Sequence, residues 1–357
     1  MLHLEDVKEL IGEAGEPTLT LYVNIDPALS ENQAGNPAWR IWLKNTLKQL
    51  DARVKPKQRP MWEHLHQQAE AYFEHFQPDS KSLALFITPD TQIDYPLPVA
   101  VENESAFGKP LVTPLLWAID EYEPYLIVMV DHEKARFLVT YLGSVGYQET
   151  ATLELDTSDW AHKTSQNTSG AVDKMAQSNA RDDFEKRVEH FTEQFYRDIA
   201  HRAVKLAAEQ KARRIILAGD EQAAHAVHDC LPETMTSSVV AVLPIPMRAH
   251  LKEILEHAAP AALAFEREEE IALVNQIVDM AKAGGRAALG RKAVTAALNQ
   301  HRVELLVASW PPADGDKTAD LALQAFASGG QIELVHGEAA DHLNDEGGLA
   351  AQLYYAL

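Results

Sequence analysis

The chain has 357 residues, 46% of them apolar and 24% charged, and a formal net charge of −21. That length exceeds what one hydrophobic core usually serves and predicts two or three domains. The charge excludes a general nucleic-acid binder, whose non-specific affinity comes from cations neutralising phosphates, and leaves RNA contact only to a local basic patch.

Cys230 is the only cysteine, which rules out an internal disulfide and points to a reducing compartment. The first ten residues, MLHLEDVKEL, have no basic stretch leading into an apolar run, so no signal peptide is expected. No stretch approaches the roughly 18–20 apolar residues that cross a bilayer. A cytoplasmic protein without a membrane partner is the expectation.

The first segment reads β-α-α-β. Pro17–Ile25 alternates and is rich in β-branched residues, as a strand should be. Trp39, Leu43, Leu47 and Leu50 recur at helical spacing, a second helix is expected over about 61–76, and the apolar run Ser82–Thr88 reads as a buried strand. Residues 96–114 carry several prolines and little periodicity, and a domain boundary is expected near Trp117.

Next, Pro124–Asp131 and Ala135–Leu142 form a hairpin pattern around a turn at His132–Lys134. Residues 156–179 (DTSDWAHKTSQNTSGAVDKMAQSN) have no period and read as a long polar loop, a kind of segment that is usually functional or disordered. Phe184, Val188, Phe191, Phe195, Ile199 and Leu206 then mark one face of a helix, with Ser178 or Asn179 as possible caps. Strand 214–219, helix 223–231 and strand 238–243 imply a parallel sheet.

The last part begins with an acidic helix over about 266–283, ended by Gly284-Gly285. A helix at 290–299, a strand at 303–308, a helix at 319–327 and a strand at 331–336 follow, and residues 347–355 read as a terminal helix or strand. The fold class is therefore α/β in three domains: 1–118, 119–265 and 266–357.

Candidate chemistry is sparse. Across residues 160–181, Lys163, Lys174 and Arg181 stand against Asp173 alone, a local charge of +2 suited to RNA phosphates, and Trp160 or His162 could stack on a base. The fifteen histidines do not fall at metal-ligand spacing, so no metal is expected. Gly284–Gly290 lacks the Lys-Ser/Thr ending and the preceding strand of a phosphate loop, and no cofactor is expected. The acidic run Glu266–Glu270 reads as a solvated helix start. Asp131 and Asp220 fall at strand ends, where open α/β sheets bind ligands, but they read first as turn residues.

Three features together resemble the release-factor and Pelota superfamily, and in particular its bacterial relatives. They are Val128-Met-Val-Asp131 with Ala135-Arg-Phe137 and Leu142-Gly143; the phenylalanine-rich helix leading to Ile215-Ile-Leu-Ala-Gly219; and Gly290-Arg-Lys-Ala-Val294 with Val303–Val307 and Gly347–Ala351. The resemblance covers about residues 120–357. It implies a release-factor-like middle domain and a last domain like the kink-turn-binding ribosomal-protein fold. It also implies action on the large ribosomal subunit or tRNA, and no role for DNA.

In that family a Gly-Gly-Gln loop helps a water attack the peptidyl-tRNA ester, by positioning and by stabilising the oxyanion. Here Met175-Ala-Gln-Ser-Asn-Ala-Arg181 lies over a Gly-Gly-Gln-Ser-x-x-Arg pattern. The resemblance makes Gln177 the catalytic candidate and Lys163, Lys174, Ser178 and Arg181 the RNA-binding ones. Met175 and Ala176 replace the glycines, and side chains there restrict positive φ. Hydrolysis is therefore expected to be weak or lost, with binding retained. A literal Gly329-Gly-Gln331 precedes an apolar strand and reads as a helix cap and turn. The alternative, favoured by the negative charge, is a non-catalytic stress-related scaffold that binds a protein or small ligand without a ribosomal role.

Overall fold

The computed structural model describes residues 17–33, 35–153, 173–312 and 316–355, with residues 6, 7 and 10 ahead of them. The chain divides into two compact units, one made of residues 1–123 with 266–357 and the other of residues 124–265. The fold class is α/β, as the alternation of apolar patterns predicts.

The first unit opens with β1 (Thr18–Asn24), α1 (Ala38–Asp51), α2 (Arg59–Glu74), β2 (Ser82–Ile87), β3 (Gln92–Leu97), β4 (Glu104–Gly108) and α3 (Thr113–Glu121). The strands form an antiparallel sheet in the order β3-β2-β1-β4. Trp39, Leu43 and Leu47 of α1 and Trp62, Leu65 and Phe73 of α2 are buried against Leu19, Leu21 and Val23 of β1. The two edge strands fall in the stretch 96–114 and just before it, where periodicity gave no signal. β3 carries Pro96, which only an edge strand tolerates.

The other face of this sheet fixes the chain that leads to α3. The Tyr22 hydroxyl donates to the Leu111 carbonyl (2.8 Å), and the Leu111 N–H donates to Thr20 Oγ1 (3.2 Å). Burial and nearby Glu104 push the Tyr22 pKa well up, so its hydroxyl remains a donor.

The second unit holds β5 (Tyr125–Val130), β6 (Lys134–Tyr141), β7 (Ser144–Thr152), α4 (Asp173–Glu209), β8 (Arg214–Gly219), α5 (Glu221–Asp229), a short α6 (Glu233–Thr236), β9 (Val239–Leu243) and the start of α7 (Leu251–Lys282). The sheet order is β7-β6-β5-β8-β9, with β5-β8 and β8-β9 parallel and the hairpin strands antiparallel. β5 is buried on both faces, as its unbroken apolar run requires. Phe195, Ile199, Ala203 and Leu206 of α4 cover one face, and Ile254, Ala258 and Ala262 of α7 cover the other.

Two boundaries differ from the sequence reading. Helix α4 begins at Asp173, so Ser178 and Asn179 lie inside it rather than capping it. Residues 173–180 lack an apolar stripe, and without one helical propensity alone gives no periodic signal. Helix α7 begins at Leu251 instead of Glu266 and carries Pro260 in its interior. The acidic run Glu266–Glu270 is thus mid-helix, and Glu266 and Glu270 are buried rather than solvated.

From Glu266 the chain returns to the first unit. There α7 supplies Val274, Ile277 and Val278 to a second core. β10 (Ala287–Leu289), α8 (Gly290–Asn299), β11 (Val303–Ser309), α9 (Asp316–Ala327), β12 (Gln331–Val335), α10 (Gly337–Asp345) and β13 (Leu349–Leu353) complete it, in the sheet order β10-β13-β11-β12. The chain end is a strand, the second of the two outcomes its pattern allowed.

The literal Gly329-Gly-Gln331 is the cap of α9. Gly329 has φ +83°, its N–H reaches the Phe326 carbonyl (3.0 Å), and the Gly330 N–H reaches the Ala325 carbonyl (2.9 Å). Gln331 starts β12.

Candidate functional site

The sequence singles out the connection from β7 to α4. Lys163, Trp160 and His162 lie outside the described residues. Lys174, Gln177, Ser178 and Arg181 lie in the first turns of α4, where the backbone is helical. Met175 and Ala176 suit this backbone, because both are good helix formers whereas two glycines would weaken it.

The described part of α4 is tied to β7 by an ionic hydrogen-bond group. Arg202 Nε donates to both oxygens of Glu149 (3.0 and 3.1 Å), and the Tyr147 hydroxyl donates to the same carboxylate (2.6 Å). Hydrogen bonds from Arg202 and Tyr147 hold the Glu149 carboxyl below its usual range. The bridge joins the strand before residues 154–172 to the helix after them.

At the ends of the parallel strands β5 and β8, turn chemistry uses up both aspartates. Asp131 Oδ1 accepts the N–H groups of Glu133 (2.8 Å) and Lys134 (2.7 Å), and Asp220 Oδ1 caps α5 through the Ala223 N–H (2.9 Å). Gly219 between them has φ +109°, and a Cβ there would lie 2.2 Å from the Val130 carbonyl oxygen, so no other residue fits. His132 Nδ1 lies 3.0 Å from the Tyr196 hydroxyl and Nε2 lies 3.8 Å from Asp220 Oδ1. Burial, with Asp220 and Asp131 nearby, raises the Tyr196 pKa and keeps the phenol protonated. The group fixes the turns at these strand ends.

In the first unit, four residues that the sequence leaves unconnected meet. Arg267 donates to both oxygens of Glu121 (2.6 and 2.8 Å) and also pairs with Glu270. Glu270 accepts the His336 backbone N–H (2.8 Å), and His336 Nδ1 lies 3.1 Å from the same carboxylate. One ligand atom from each of Glu121, Glu270 and His336 falls within 4.8 Å of the others, the spacing of a cation site. The Arg267 guanidinium already supplies the positive charge there, so the arrangement is an internal ion cluster. No single-sequence signal marks it beyond the i, i+3 pairing of Arg267 with Glu270.

Residues 110–263 match the model of the Bacterial archaeo-eukaryotic release factor family 10. This span covers residues 124–263 of the second unit. Among solved structures, Pelota from Archaeoglobus fulgidus is 17% identical, covering 78% of this chain and 81% of its own, with a TM-score of 0.36. Dom34 of S. cerevisiae, described as a translation termination-like factor in RNA quality control that interacts with Hbs1, is 14% identical over 77% of this chain and 80% of its own, with a TM-score of 0.45. The archaeal translation termination factor aRF1 is 19% identical over 98% and 96%, with a TM-score of 0.26. No curated protein matches the sequence. No helix among the described residues is long and apolar enough to cross a membrane.

Proposed function

We propose that the protein acts in translation by binding the large ribosomal subunit or tRNA, with the segment from residue 156 into α4 as its working element. The observation that carries this reading is the family match over residues 110–263, which contains that segment. Within it, residues 160–181 carry Lys163, Lys174 and Arg181 against Asp173 alone, a local charge of +2 in a chain of net charge −21. Such a patch would contact phosphates while the remaining surface repels them.

Peptidyl-tRNA hydrolysis is weak or lost in this reading. Met175 and Ala176 stand where the family has two glycines, and the helical backbone at 173–181 supports a loss of the loop geometry. The test is peptide release from ribosomes loaded with peptidyl-tRNA, comparing wild type with Gln177→Ala. Slow release that is equal in both proteins supports binding without glutamine chemistry. Rapid release that collapses in Gln177→Ala overturns it.

A second reading, a ligand- or protein-binding scaffold without a ribosomal role, is favoured by one observation: the first unit contains a cavity of about 530 Å³ lined partly by tryptophans. Absence of the protein from sedimented ribosomal subunits would favour that reading.

A further inference from the structure

The cavity lies within the first unit, where residues 100–117 meet residues 310–312. Trp117, Trp310, Pro114 and Pro311 form its walls, and Glu102 and Glu104 stand among its polar groups. The two indoles stack with centroids 6.0 Å apart and planes 13° from parallel, and Tyr122 packs edge-on against Trp117 at 5.9 Å. No lysine, arginine or histidine is among the described residues that line it.

The walls are held from behind. The Val101 N–H donates to Ser82 Oγ (2.8 Å), Leu111 is bonded through both its N–H and its carbonyl to β1, and the Trp310 N–H donates to the Val335 carbonyl (2.8 Å). A cavity whose backbone is fixed by the sheets on both sides is formed before any ligand arrives. Its volume lies in the range of small-ligand sites.

We propose that this cavity binds an alkyl-ammonium or guanidinium group, delivered as the lysine or arginine side chain of a partner peptide. Indole faces attract cations through their quadrupole. Proline rings offer apolar contact to a methylene stem and no N–H donor to compete for it. The carboxylates of Glu102 and Glu104 accept charge-assisted hydrogen bonds from the cationic head. The chain's charge of −21 concentrates cations at its surface and disfavours nucleotides and other anions. Among the described lining residues the acid groups are Glu102 and Glu104, and with the apolar walls they suit one charge on an apolar stem better than a polyamine charged along its length. The site is independent of the ribosome-binding reading and can stand or fail without it.

The experiment is calorimetric titration of the full-length protein with acetyl-Ala-Arg-Ala-amide and acetyl-Ala-Lys-Ala-amide, using acetyl-norleucine and acetyl-glutamate counterparts and spermidine as comparisons. The cationic peptides are expected to bind roughly ten-fold more tightly than the norleucine peptide, as a desolvated cation–π contact allows. Glu102→Gln with Glu104→Gln, and separately Trp310→Leu, each lower the affinity by roughly ten-fold at an unchanged thermal midpoint. The glutamine pair keeps the test open should Trp310→Leu disturb folding. Equal binding of the norleucine peptide, unaltered affinity in the glutamine pair, or no peptide binding overturns the proposal. Spermidine binding more tightly than either peptide overturns the peptide as the source of the cation.

Discussion

In residues 124–265 the two aspartates at the ends of β5 and β8 close local turns: Asp131 serves residues two and three positions on, and Asp220 caps the helix that follows it. In the other unit, Arg267 reaches Glu121 across 146 residues of sequence, and His336 reaches Glu270 across 66. Local hydrogen bonds shape loops and cost little to lose. A non-local buried ion cluster joins segments that the chain brings together only on folding, and losing one member strands the others. The difference predicts that the two regions respond unequally to mutation and to pH.

The largest effect is expected from Arg267→Met. It leaves Glu270, whose side chain is 1% exposed, without its cationic partner. Destabilisation of about 3 kcal/mol is expected from breaking such a pair, measured as a lowered urea midpoint, and Arg267→Met with Glu270→Leu should recover much of it. A loss below about 0.5 kcal/mol would mean the cluster behaves like a surface pair.

Gly219→Ala comes next. The residue sits at φ +109° with its would-be Cβ against the Val130 carbonyl, so about 2–3 kcal/mol is expected from the strain, read as a lower thermal midpoint of the second unit. Asp220→Ala removes only the cap of α5 and should cost about 1 kcal/mol. If Asp220→Ala proved the more damaging of the two, the turn account of this strand end would fail.

The smallest effect separates the units by pH. Asp120 is half-buried near Glu333, and desolvation first, then that charge, raises its carboxyl well above the usual range. Folded Asp120 keeps its proton where the unfolded chain has lost it. Its contribution is therefore complete below the ordinary carboxylate pKa and declines as pH rises towards the folded value. Glu149 runs the other way: its lowered pKa gives stability present above the ordinary carboxylate range and lost as pH falls. Asp120→Asn should therefore raise the melting midpoint at pH 7–8 and leave it unchanged near pH 3, whereas Glu149→Gln should lower it at neutral pH only. Identical pH profiles for the two variants would remove the distinction.

Much of the fold was legible because its cores write periodic patterns. Trp39, Leu43 and Leu47, the double-faced run of β5, and the α4 stripe from Phe195 to Leu206 all lie buried where spacing put them. The edge strands β3, β4 and β7 were not legible, since half their residues face solvent and Pro96 reads as a break. Helix α10 and strand β10 also left no clear signal, being short and alanine-rich. The turn roles of Asp131 and Asp220, and of Gly329-Gly330, could be read because each is a local hydrogen-bond motif. The ion cluster and the Trp117–Trp310 stack could not, because nothing in the flanking residues of either partner names the other.

The most direct test of the central claim is co-sedimentation with purified large ribosomal subunits at low and at physiological salt, comparing wild type with Lys174→Glu/Arg181→Glu. Wild type is expected to pellet with the subunits, salt to weaken the binding, and the charge-reversed variant to stay in the supernatant with its melting midpoint intact. Wild type remaining in the supernatant, or both proteins pelleting equally, would contradict that claim.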